Sequence, residues 1–130
     1  MNKVCVGALL LLATALIGCG AGGSGGFPVE GNVTFQDKAV DNGEIVFTPA
    51  DGQTASIATK ITDGKYACQL PSGKSQVRIT AYREVPGQFD HSNPGQPSPL
   101  IEMYIPDEYN AKSTLEVTVD SAKKDLDFKL

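Results

Sequence analysis

The chain has no tryptophan, a single histidine and no cluster of lysines and arginines. Its densest basic spot, Lys123-Lys124, is flanked by Asp120, Asp125 and Asp127. The basic stripe that displaces counterions from a phosphate backbone is therefore missing, and nucleic-acid binding is excluded as a main activity. The lone imidazole, His91, lies in Gln88-Phe89-Asp90-His91-Ser92-Asn93, inside a proline-rich stretch. A general base there lacks the fixed orientation that nucleophilic catalysis needs. His91 and Cys68 also fall short of the four donors of a tetrahedral zinc site. Asp37, Asp41, Glu44 and Asp51 sit in turns without the twelve-residue spacing of a calcium-sensor loop, so they read as a solvated acidic surface. Asp107-Glu108, neighbours in a turn, read the same way rather than as a glycosidase pair. No metal, no cofactor and no catalytic activity is expected.

The chain has one long apolar run, at its start. Met1-Asn2-Lys3 supplies a positive charge, and Val4–Ala15 (VCVGALLLLATA) follows. Such a run matches a secretory signal and is short for a bilayer span. Next comes Leu16-Ile17-Gly18-Cys19, which resembles the bacterial lipoprotein lipobox. The chemistry explains the spacing: Leu16 fills an apolar pocket, Gly18 is small enough for a peptidase to reach the next bond, and the Cys19 thiol receives a diacylglycerol thioether. Gly20-Ala21-Gly22-Gly23-Ser24-Gly25-Gly26 then forms a flexible spacer with a reach of about 15 Å. The expected organisation is a signal peptide over 1–18, a lipidated cysteine and spacer over 19–26, and one folded domain over 27–130. Loss of Lys3 changes the net charge from −4 to −5. Gly20 rather than aspartate after the cysteine resembles the pattern sorted to an outer membrane. The resemblance places the chain in the bacterial cell envelope, facing the periplasm or the surface and held to the membrane through lipid on Cys19. In the processed chain Cys68 stands alone, so no internal disulfide is expected; beside Tyr66 and Leu70 it reads as a small buried hydrophobe.

From Phe27 onward there is no 3.6-residue apolar period of helical length; period-two alternation recurs instead. Val29, Gly31, Val33 and Phe35 share one strand face, Ile45 and Phe47 another. Thr54–Thr62 and Lys65–Leu70 flank Asp63-Gly64, a strong hairpin signal. Ser75–Arg83 points Val77, Ile79 and Ala81 inward and Tyr82 outward. Val85–Pro99 holds four of the eight prolines and reads as a loop without regular structure. Leu100–Ile105, Leu115–Val119 and Leu126–Leu130 are further short strands, with a turn at Pro106–Asn110. About seven such strands predict an all-β, antiparallel Greek-key sandwich, with a small closed barrel as the alternative.

The ordered set Gly31-Asn32-Val33, Asp37-Lys38-Ala39-Val40, Gly43-Glu44-Ile45-Val46-Phe47-Thr48-Pro49, Thr62-Asp63-Gly64-Lys65-Tyr66, Gly73 and Val77–Ala81 resembles the transthyretin-like, carboxypeptidase regulatory-like domains. With the lipobox, the Pro-rich insertion, Ile105-Pro106-Asp107-Glu108-Tyr109 and the closing Asp125–Leu130, the layout is similar to short planctomycete envelope lipoproteins. Two departures stand out. Ile61-Thr62-Asp63 replaces the family's Thr-Thr-Asp, and Ser72-Gly73-Lys74-Ser75 replaces its Pro-Gly-x-Tyr. The resemblance implies a seven-stranded sandwich with no catalytic site and a structural or interaction role. One relative of the fold hydrolyses 5-hydroxyisourate with several histidines, which this chain lacks. The alternative role is a surface binding module: Phe89, Tyr104 and Tyr109 fall in or beside the long loop, where exposed aromatics stack on a glycan or anchor an envelope protein.

Overall fold

A computed structural model describes residues 25–130; the lipobox residues Leu16, Ile17, Gly18 and Cys19 lie outside it. The described chain is all-β, with nine strands and one 3-10 turn. The strands are β1 (Phe27–Phe35), β2 (Lys38–Ala39), β3 (Asn42–Pro49), β4 (Ile57–Thr62), β5 (Lys65–Leu70), β6 (Gly73–Asp90), β7 (Ser98–Met103), β8 (Glu116–Val119) and β9 (Phe128–Lys129); the 3-10 turn is Asp107–Tyr109. No helix among the described residues is long and apolar enough to cross a membrane.

The main ladder runs β9-β1-β5-β4-β3-β6-β8. Neighbouring pairs are antiparallel except β9, which runs parallel to β1. Between β3 and β4 six residue pairs are in register, but between β4 and β5 only Thr62↔Lys65. The sheet therefore bends at this hairpin, and its two halves face each other across one core, as in a β-sandwich. The turn is made by Asp63 and Gly64, both at positive φ (51° and 75°), the pair of dihedrals that matches the twist of a tight hairpin. β8 and β9 are consecutive in the chain yet sit at opposite edges, so the C-terminal segment crosses from one edge to the other and holds the curl.

The expected inward faces are the buried ones. Val29, Val33, Ile45, Phe47, Val77, Ile79 and Ala81 are all at most 1% exposed. Around Phe47 the rings of Tyr66 and Phe128 gather, with centroids 5.9–6.4 Å apart. The C-terminal segment reaches this cluster along β1. Leu126 N–H donates to the Glu30 carbonyl, Leu130 N–H to that of Thr34, and Glu30 N–H to that of Lys123. The Tyr66 hydroxyl donates to the Leu126 carbonyl at 2.7 Å. Asp127 Oδ1 accepts from Asn32 N–H at 2.7 Å and Asn32 Nδ2 at 3.0 Å, which holds its carboxyl below the ordinary carboxylate value. That contribution is present at neutral pH and disappears as acid protonates the carboxylate.

Cys68 packs half-buried against the core, and burial pushes its thiol up to about 11 from 9.0. Burial raises the Tyr66 phenol too, with Cys68 and Asp127 adding to it. The native state keeps protons that the unfolded chain releases above pH 9, so stability falls as pH rises from 9 towards 11. Thiol alkylation at pH 8 is expected to be roughly a hundredfold slower in the native protein than in denaturant, matching the two-unit shift. Equal rates would show an exposed, ordinary thiol.

One expectation fails. Residues 85–99 are not an irregular loop: β6 continues to Asp90 and pairs with β7 in a two-stranded ribbon, with a register shift between Glu84 and Phe89. Pro86 and Gly87 fall in that shift, and Pro94 and Gly95 lie in the tip. Pro99, on the outer strand, forfeits no ladder bond, since prolines are tolerated where the missing N–H faces away from the partner.

Candidate functional site

The strand registers fix which features share an end of the sandwich. Phe27, where the spacer joins, pairs with Leu70, while Pro49 pairs with Ser75 at the same end. At the other end, about 25 Å away along β1, lie the Asp63-Gly64 turn, the β1–β2 turn and the base of the ribbon.

At that remote end a cleft of about 260 Å³ is lined by Phe35, Gln36, Lys38, Asp41, Asn42, Tyr82, Arg83 and Tyr104, among others. Three elements shape it. β1 ends at Phe35, and Gln36 and Asp37 turn the chain with φ of 49° and 64°, bringing β2 back antiparallel. β6 continues past the buried Ala81 into Tyr82 and Arg83. Tyr104 follows β7 and remains in ladder register, its N–H donating to the Ala81 carbonyl at 3.2 Å.

Tyr104 stands between Phe35, 5.8 Å away between ring centroids, and the Arg83 guanidinium, 5.2 Å above its ring. Arg83 also pairs with Glu102 at 2.7 Å. Both partners are substantially solvated, so this pair orients the guanidinium more than it stabilises the fold. Burial raises the Tyr104 phenol, and Asp41 adds to the rise while Arg83 opposes it. At neutral pH the phenol is neutral and its oxygen can both donate and accept. The cleft therefore combines an aromatic wall with planar amide, carboxylate and guanidinium groups. Such a set can hydrogen-bond the hydroxyls of a sugar, beside a Tyr104 ring already packed between Phe35 and Arg83.

Of the three aromatics expected at a binding surface, Tyr104 alone lines this cleft. Tyr109 lies in the 3-10 turn, partly buried against the core. Phe89 is 52% exposed near the ribbon tip, and no aromatic contact joins it to Tyr104 or Tyr109 among the described residues. The sequence places Phe35 on a strand face with Val29 and Val33 and Asp41 in a solvated acidic turn, and it does not single out Arg83, so none of the three was expected at a binding cleft. A signal did exist for Arg83: it continues the Val77-Ile79-Ala81 face, and a charge there marks where that face leaves the core.

The buried Asn110 fixes the segment behind Tyr104 by donating from Nδ2 to the Ile105 and Pro106 carbonyls, both at 3.0 Å. His91 is exposed at the ribbon tip, beside an Asp90 carboxylate that accepts from Ser92 N–H at 2.9 Å and from the Ser92 hydroxyl. Among the described residues no three His, Cys, Asp or Glu side chains gather to hold a metal.

No family model matches the chain. No curated protein matches it either. Among solved structures, a 9R-lipoxygenase from Cyanothece PCC8801 is similar over 80% of this chain at 13% identity, with a TM-score of 0.35. The chain spans 16% of that protein's length, and a likeness this loose carries no argument about fold or activity.

Proposed function

We propose that this protein is a lipid-anchored, non-catalytic module of the bacterial cell envelope with a structural or interaction role. It is cut before Cys19, acylated on that thiol and held by the Gly20–Gly26 spacer, in the manner of outer-membrane lipoproteins. The observation that carries the reading is the uninterrupted order of Lys3, the apolar run, Leu16-Ile17-Gly18-Cys19 and the glycine-rich segment. The sandwich supports it, because the spacer joins at one end while the cleft and the ribbon occupy the other, facing away from an anchoring membrane. We place the sandwich with the transthyretin-like, carboxypeptidase regulatory-like domains on the motifs between Gly31 and Ala81. Feeding expressing bacteria an alkyne-tagged fatty acid tests the anchor: the chain takes up label and Cys19→Ala takes up none. An unlabelled wild-type chain would end the lipoprotein reading.

The cleft favours a second reading, a binding module for an envelope glycan or protein ligand. Tyr104 is its central aromatic, and its loss would free Phe35 and the Arg83 guanidinium from the positions in which they line the cleft. On an array of neutral oligosaccharides the wild type is expected to retain a subset, and Tyr104→Ala to retain it about tenfold less well. Equal retention by both would remove the cleft from the account.

A further inference from the structure

The ribbon of Tyr82–Asp90 and Ser98–Met103 carries more apolar surface than a free two-stranded element can use. Every residue of β7 is exposed. Ile101 is 63% exposed, and Met103, Tyr82, Phe89 and Leu100 are also exposed. A lone two-stranded ribbon is marginal in water; three or more strands sharing an apolar face are needed for independent stability.

Ladder geometry shows which backbone groups of β7 are free. Tyr104 N–H donates to the Ala81 carbonyl, so Tyr104 faces β6. Alternation then turns Glu102 towards β6 and turns Met103, Ile101 and Pro99 outward. The outer edge thus offers carbonyls at 99, 101 and 103 and N–H groups at 101 and 103. That edge is self-complementary. With Ile101 opposite Ile101 of a second copy, each Ile101 N–H meets the other's carbonyl, and each Met103 N–H meets a Pro99 carbonyl. Only the Met103 carbonyl, opposite the proline nitrogen, goes without a donor.

Side chains set the character of this face: Ile101, Met103 and Tyr82 share it with Glu84, the residue across from Ile101, so pairing brings the Ile101 and Met103 side chains of both copies together between two outer Glu84 carboxylates. Glu102 falls opposite Leu100 rather than another carboxylate, and Arg83 already balances it at 2.7 Å. Pro99 and the register shift between Glu84 and Phe89 blunt the tip-ward part of this edge, while its centre at Ile101 carries neither a lysine nor an inward charge.

We propose that β7 pairs antiparallel with β7 of a second copy about a two-fold axis at Ile101, giving a four-stranded sheet across the dimer. Because the ribbon leaves the sandwich at the end remote from Phe27, the two bodies lie on opposite sides of the paired strands. The net negative charge of each copy, −4 for the full sequence and one unit more negative once Lys3 is removed, opposes association, so added salt strengthens the dimer.

The test uses the full chain in its membranes. Opposed residues of a hydrogen-bonded antiparallel pair have Cα atoms about 5.5 Å apart, within disulfide reach. Mild oxidation of Ile101→Cys is expected to give a peptide joined to itself through position 101, at least tenfold more abundant than the equivalent product from Gln88→Cys on the other strand. In detergent, sedimentation should show a wild-type dimer that grows with concentration and with salt. Ile101→Lys, an exposed change that leaves the core intact, should be at least tenfold weaker. Equal linkage at positions 101 and 88, a wild type monomeric throughout, or a link from position 101 to a different protein would each overturn the proposal.

Discussion

Gly31→Val is expected to be the most damaging single substitution in the folded domain. A Cβ on Gly31 would lie 2.0 Å from the Leu126 carbonyl oxygen and 2.5 Å from its carbon, both backbone atoms of the segment that crosses the two edges. No rotamer relieves such a contact, so the C-terminal segment must leave β1. Its departure takes Phe128 from the ring cluster with Phe47 and Tyr66, breaks the Tyr66–Leu126 bond and frees the edge that β9 covers. Losing a buried phenylalanine alone costs about 3–5 kcal/mol. A domain of this size has a total stability of about 5–15 kcal/mol and melts roughly 4–8 °C lower per kcal/mol lost. Thermal melting followed by circular dichroism should therefore fall by at least 15 °C, or show no cooperative transition. Gly25→Ala, where nothing lies within 4 Å, should melt with the wild type. A Gly31→Val protein that melted normally would mean the C-terminal segment does not lie on β1.

The second large effect concerns Cys19. On the lipoprotein reading this thiol carries the whole membrane attachment, and no helix among the described residues is long and apolar enough to span a bilayer. Each buried methylene of an acyl chain contributes about 0.8 kcal/mol, and two or more chains make the attachment stable where one is marginal. Cys19→Ala removes all of them together. More than nine-tenths of the wild type should pellet with membranes and resist high-salt washing, while the variant chain should withstand neither treatment once cleaved or should remain as uncleaved precursor. A variant that pelleted in cleaved form as firmly as the wild type would show that something else holds the domain to the membrane.

How much of this was legible in the sequence depends on whether the structural cause is local. Alternation at Val29–Phe35, Ile45–Phe47 and Val77–Ala81 marks buried faces directly, because side chains of a strand point to opposite sides in turn. Asp63-Gly64 marks its own turn, since both residues accept positive φ. The crossing of residues 120–130 from one edge to the other could not be read, because nothing local says which strand a short apolar segment joins. Gly31 held the clue without revealing it: a glycine inside an alternating strand marks a close backbone approach, yet the approaching partner is 95 positions away.

The ribbon was misread for a physical reason. Pro86 and Pro99 signal breaks when a strand is assumed to bond on both sides, whereas each strand of a two-stranded ribbon bonds on one only; Pro94 and Pro97 mark the tip between them. The cleft was partly legible. Tyr104 stood out as an aromatic near a loop, but its neighbours Phe35, at the end of β1, and Asp41, just after β2, come more than sixty residues earlier, and only the β1–β2 and β6–β7 pairings bring them together.

The central claim, a sandwich tethered by lipid at the end opposite its cleft and ribbon, is tested most directly by the mass of the mature N-terminal peptide from host membranes. The account predicts a peptide that begins at Cys19 and carries the added mass of a diacylglycerol, with or without a further acyl chain. A peptide that begins elsewhere, or one that begins at Cys19 with a free thiol, would contradict it.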